Sequence, residues 1–139
     1  MGGDMHSETI LIVEDNSNWR DLLQDLLKPD YEIEGVSNVQ EAEDKLKSRR
    51  FGLVITNLQL GSLAGIADQL GLVVIEMLQE SAPGTPCIVL TGSAQEQREQ
   101  VQNFCNTRYN AHIWVMGKGI ENLYAELRSK VGGVFRANA

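Results

Sequence analysis

Ile10 to Asn16 reads ILIVEDN. Four consecutive apolar residues leave no polar face, the pattern of a strand buried on both sides, and such strands belong to parallel sheets covered by helices. Glu14 and Asp15 then fall just past that strand's end. Further along, Trp19, Leu22, Leu23, Leu26 and Leu27 recur at the spacing of one helical stripe. Asn16 or Ser17 can cap the start of that helix, and Pro29 lies beyond its end. Tyr31 to Val36 reads as a second, more polar strand, hence an edge. Ser37 with Gln40 fits a capping box, opening a helix with Val39, Ala42 and Leu46 on one face.

The alternation continues to the end of the chain. Gly52 precedes the apolar run Leu53 to Thr56. The stretch from Leu58 to Gly71 carries no clean start or stop signal, and helical pattern resumes at Leu72, Ile75 and Leu78. Pro83, Gly84 and Pro86 break the chain before the strand Cys87 to Leu90. Ala94, Val101, Phe104 and Cys105 mark the inner face of a fourth helix. Ile113 to Met116 reads as the fifth strand, and Ile120, Leu123, Tyr124, Leu127 and Val131 as the closing helix. Five strands alternating with five helices predict an α/β fold with a doubly wound five-stranded parallel sheet. Right-handed crossovers favour the order 2-1-3-4-5 with helices on both faces. Residues 1–8 read as a disordered lead-in or an artificial extension, 9–131 as the domain and 132–139 as a flexible tail.

Composition narrows the function. The chain has 139 residues, 42% hydrophobic and 22% charged, which fits one compact domain. A net charge of −7 argues against nucleic acid or an anionic membrane as partner, since both need clustered cations. The small basic group Lys45, Lys47, Arg49 and Arg50 fits a solvated helix end. Cys87 and Cys105 form no disulfide framework, which suits a reducing compartment and points to the cytoplasm.

In a sheet of this kind the site lies outside the carboxyl ends of the strands. Glu14 and Asp15 follow the first strand, Asn57 the third, Thr91, Gly92 and Ser93 the fourth, and Gly117 and Lys118 the fifth. Each alone has a bland reading: paired acids cap helices, a threonine after a strand is structural, a lone lysine is solvated. Their convergence on one sheet edge is more specific. It suggests phosphoryl chemistry with a hard cation, because Mg²⁺ takes carboxylate and water oxygens, lysine is a compact charge for phosphate and a threonine hydroxyl donates to it.

On these residues the chain from about Thr9 to Val131 resembles the receiver domains of bacterial response regulators. ILIVEDN resembles the family's acidic strand end, LVITNLQL (Leu53 to Leu60) its phosphoacceptor strand, IVLTGS (Ile88 to Ser93) its switch segment and GLVVIEML (Gly71 to Leu78) its third helix; Lys118 stands at the family lysine. The resemblance implies that Asp15 and residue 57 ligate Mg²⁺ with the backbone carbonyl of Gln59, that Glu14 supports the metal, and that Thr91 and Lys118 read the phosphoryl group. It implies partners among histidine kinases, phosphotransfer proteins and output proteins, a homodimer through the 94–131 face, and no enzymatic activity. Arg98, Arg108, Tyr109, Tyr124 and Arg128 are the contacts expected on that face.

Three departures matter. Asn57 stands at the phosphoacceptor position, and an amide is too poor a nucleophile to form an acyl phosphate, so any Mg²⁺ site is weakened. Gly71 lies fourteen residues after Asn57, against roughly eight in the family, an insertion of about six residues beside the site. Gly117-Lys118-Gly119 lacks the usual proline, and Trp114 is readable either as a switch residue or as packing. The expectation is a pseudo-receiver that signals by protein contact without phosphorylation at 57. Two alternatives stay open: an ordinary receiver carrying an Asp-to-Asn block, or a small ligand-binding flavodoxin-like domain with 58–71, including Gly61, Gly65 and Asp68, as a lid. His6 and His112 offer no nucleophile–base pair for catalysis.

Overall fold

The computed structural model describes residues 8–58, 70–92, 94–109, 112–119 and 122–137. Along the chain come β1 (Thr9–Val13), α1 (Ser17–Leu27), β2 (Glu32–Val36), α2 (Val39–Ser48), β3 (Leu53–Asn57), α3 (Leu70–Ser81), β4 (Cys87–Thr91), α4 (Gln95–Arg108), β5 (Ile113–Gly117) and α5 (Leu123–Ala137). The strands form one parallel sheet in the order β2-β1-β3-β4-β5, as expected. Every residue of β1, β3 and β4 is buried, which is why these strands read as continuous apolar runs.

Alternate strand residues build two cores. Ile10, Ile12, Leu53, Ile55, Ile88 and Leu90 face α1 and α5, where Leu23, Leu27, Leu127, Val131 and Val134 meet them. Leu11, Val13, Val54, Cys87 and Val89 face the other way, against Ala42, Val74, Ile75, Leu78 and Cys105 of α2, α3 and α4. Fully burying each such branched side chain stabilises the fold by about 1.5–3 kcal/mol. Among the described residues no helix is long and apolar enough to cross a membrane.

Several expectations need correction. The chain from 132 is no loose tail: α5 continues to Ala137. Val134 is buried, and Phe135 stacks on Tyr31 with ring centroids 4.9 Å apart. That burial outweighs the roughly 0.5–1 kcal/mol each that Gly132 and Gly133 cost within a helix. The cap of α2 sits one residue later than read. Asn38 accepts from the Glu41 amide, and the Glu41 carboxylate accepts from the Ser37 amide; a charged acceptor wins over Gln40 because charge-assisted bonds are stronger. Phe104 is exposed and lies edge-on to Tyr109 instead of facing the sheet. Leu22 is likewise exposed and Ala94 solvated. Residues 1–7, Gln59 with the rest of the expected lid up to 69, Ser93 and Ile120 lie outside the described residues.

One glycine is dictated by packing. A Cβ on Gly71 would stand 2.4 Å from the Asn57 carbonyl oxygen and 2.7 Å from the Leu58 Cα. The Gly71 amide donates to the Leu58 carbonyl at 3.0 Å. The first turn of α3 is therefore seated directly on the end of β3.

Candidate functional site at the carboxyl edge of the sheet

Of the polar residues expected after β1, β3, β4 and β5, Glu14, Asp15, Asn57 and Lys118 meet, and Thr91 joins them through its backbone. Glu14 is 1% exposed at the end of β1 and Asn57 6% exposed at the end of β3. Asn16 anchors the loop between Glu14 and α1 twice. Its side chain caps α1 by accepting from the Trp19 amide at 3.0 Å, and its own amide donates to Glu14 Oε2 at 3.1 Å. Arg20 Nη1 donates to the Glu14 carbonyl at 2.7 Å. The acidic pair thus stands on a loop held from both ends.

At the centre, Asn57 Nδ2 donates to Glu14 Oε2 at 3.1 Å and reaches Asp15 Oδ1 at 3.4 Å. The orientation of the amide follows from its neighbours, since carboxylates only accept and the NH₂ end is the end that donates. The amide nitrogen therefore bridges the two acids. The other oxygen of Glu14, Oε1, lies 2.9 Å from Lys118 Nζ. The ammonium is also 4.8 Å from the centre of the Trp19 ring, within cation–π range. Thr91 is fully buried, and its carbonyl accepts the Lys118 amide at 2.7 Å, fixing the start of the Lys118 turn. Burial pushes the Glu14 carboxyl above its ordinary range, against the pull of Lys118 and of the Asn16 amide.

The fold brings Glu14, Asp15, Asn57, Thr91 and Lys118 to one edge. Sequence reading missed Trp19, Arg20 and Asn16 as parts of the site. Trp19 reads as one position of a helical stripe; its place on the first turn after the acidic pair was the signal available. Trp114 points into the α5-side core, with its ring 5.9 Å from His112 and Lys130 above it at 4.8 Å. Of the contacts expected on the outer face, Tyr109 is buried with its hydroxyl on Glu76 at 2.8 Å, Arg108 pairs with the same Glu76 at 3.1 Å, and Tyr124 is exposed.

A doubly wound sheet of this order, with two acids, a buried amide, a threonine and a lysine meeting at its carboxyl edge, defines the class of α/β signalling modules built around a phosphoacceptor pocket. The sequence model of the response regulator receiver domain matches residues 10–113, and the chain belongs to that family. Solved structures agree on the fold. A response regulator receiver protein from Sinorhizobium medicae superposes with a TM-score of 0.71 at 20% identity, over 94% of this chain and 96% of that one. A CheY-like receiver domain protein from Methanospirillum hungatei gives 0.69 at 22% identity, over 94% and 98%. The beryllofluoride-activated NtrC4 receiver domain dimer gives 0.73 at 18% identity, over 95% and 99%. No curated protein matches the sequence.

Proposed function

We propose that this receiver domain is a pseudo-receiver: a cytoplasmic signalling module that acts by protein–protein contact, without phosphorylation at position 57 and with no catalytic activity of its own. The observation that carries this reading is the Asn57 amide bridging Glu14 and Asp15. In the family those acids hold Mg²⁺. Here an N–H donor stands between them, and a donor repels a cation where a carboxylate would attract it. Both acids contact the Asn57 amide, and Glu14 pairs with Lys118 as well, so a divalent cation has to displace these contacts and binds more weakly than it would beside a carboxylate at position 57. Lys118 pairs with Glu14, which leaves the family's phosphate-reading group committed to an internal partner. Its partners are a histidine kinase, a phosphotransfer protein, an output protein or a second copy. The dimeric state of the activated NtrC4 receiver supports testing self-association through residues 94–131.

Acetyl phosphate with Mg²⁺, followed by intact mass, and beryllium fluoride with Mg²⁺, followed by Trp19 fluorescence, test this reading. The protein is expected to gain no phosphoryl mass and to show no saturable fluorescence change, while Asn57→Asp responds to both. A saturable response of the protein with Asn57 in place would overturn the proposal.

A further inference from the structure

β5 is the outer strand on its side of the sheet. The residues of an edge strand that point away from the sheet leave an N–H and a C=O with no ladder partner, an open invitation to pairing. In β5 those groups include the Ile113 carbonyl and the Val115 amide, and both are taken by one side chain. Gln102 Nε2 donates to the Ile113 oxygen at 2.8 Å, and the Val115 amide donates to Gln102 Oε1 at 2.8 Å. The second Nε2 hydrogen goes to Asn106 Oδ1 at 3.1 Å, one turn further along α4. The side-chain amide repeats what a residue of a sixth parallel strand would present: one donor and one acceptor, at strand spacing. A side-chain amide carries the two on separate nitrogen and oxygen atoms spaced as in a peptide group, and asparagine is one methylene shorter.

The position of this bond pair gives it a mechanical meaning. Gln102 stands in the cleft of about 530 Å³ beside β5, with Arg98 and Lys130 also on its walls. Cys105 is the one residue of α4 that is fully buried, so apolar packing alone holds this helix weakly. We infer that Gln102 is a latch: its amide closes the β5 edge and fixes the register of α4 along β5, so that α4 shifts along the strand, and the edge opens, only when this one side chain lets go. The inference does not depend on the state of Asn57.

Two measurements test it. In the unsubstituted protein, a scalar coupling across the hydrogen bond from the Val115 amide nitrogen to the Gln102 side-chain carbonyl carbon is expected by NMR. In Gln102→Leu, the Val115 amide is expected to exchange with solvent roughly 10- to 100-fold faster, the consequence of losing two ordinary hydrogen bonds, while the Ile55 and Val89 amides keep their protection. Gln102→Glu keeps an acceptor but sets a carboxylate against the Ile113 carbonyl, so at neutral pH its Val115 amide should exchange faster too, and recover as the carboxyl is protonated. Unchanged Val115 exchange in folded Gln102→Leu overturns the latch. So does absence of the coupling in the unsubstituted protein, which decides the matter even if neither variant folds.

Discussion

Replacing Asn57 with aspartate should convert a satisfied site into a strained one that a divalent cation relieves. The substitution removes the donor that contacts Glu14 at 3.1 Å and Asp15 at 3.4 Å and places a third carboxylate at the same distances. The side-chain charge of Glu14, Asp15 and Lys118 is −1; with aspartate at position 57 it becomes −2. Two like charges about 3 Å apart at an effective dielectric of about 20 repel by roughly 5 kcal/mol. Lys118 can turn toward the new carboxylate and offset a pair of that size, and partial protonation of Glu14, already pushed up by burial, relieves more. What remains is a loss of about 2–4 kcal/mol in chelator, which for a domain between the small and medium size classes means a Tm lower by roughly 6–16 °C. Differential scanning calorimetry in chelator and in millimolar Mg²⁺ reads both halves of the claim. Mg²⁺ should restore much of the loss in Asn57→Asp and leave the Asn57 protein unmoved. Equal Tm values for the two proteins in chelator, or equal stabilisation of both by Mg²⁺, would show that the amide does not bridge the acids as described.

Gly71→Ala should lower stability by about 2–4 kcal/mol in urea unfolding, because its Cβ would meet backbone at 2.4 Å and overpacking against backbone has little room to relax; a change below about 0.5 kcal/mol would contradict the seating of α3 on β3. Ending the chain after Val131 should destabilise it by several kcal/mol through loss of Val134 and of Phe135 on Tyr31, and an unchanged Tm would return that segment to the status of a tail. Lys45, 2.7 Å away, and then Arg49 hold the Glu34 carboxyl below its ordinary value of 4.5. A depressed acid contributes stability that is full above its ordinary value and fades as pH falls through the folded value; Glu34→Gln should therefore cost stability at neutral pH and nothing once pH lies well below the folded value. Glu14 works in the opposite sense, its contribution present below 4.5 and lost as pH rises through its raised value, so the Glu34→Gln difference curve and not the raw profile is the test. Cys87 is pushed up by burial and Cys105 to about 11; both should react with a thiol reagent only as fast as the domain opens, and rapid native-state labelling would place them outside the core.

The central sheet was legible because β1, β3 and β4 are buried on both faces, and a continuous apolar run of strand length between turn signals fits little else. The end of α5 was not legible: two adjacent glycines outweighed the Val131–Val134 spacing when read locally, whereas the packing of Phe135 on Tyr31 joins positions far apart in the chain. The cap of α2 was misplaced because Ser37 with Gln40 and Asn38 with Glu41 both fit the same spacing, and only the charge of Glu41 separates them. The identity of the site residues could be read from order along the chain. That the Asn57 nitrogen faces both acids could not, because it is a property of three side chains brought together by folding. Gln102 carried no signal at all. It sits in a polar stretch, QEQREQVQN, where one amide looks like the next until a strand edge lies opposite it.

The bond from Gly71 to the Leu58 carbonyl closes a ring in the backbone, with the twelve intervening residues as its circumference. Both ends of that ring are anchored to the sheet, one as the residue after β3 and the other by a contact that excludes even a methyl group. The entropy of closing a chain segment grows only with the logarithm of its length, about 0.6 kcal/mol per doubling. For a flexible segment between two fixed anchors, halving or doubling its length changes stability by less than one core methylene does. Leu58 and Gly71 thus form a fixed pair of anchor points beside the buried Glu14 and Asn57, so the path of the chain into and out of the site edge is set by backbone contact and not by side chains.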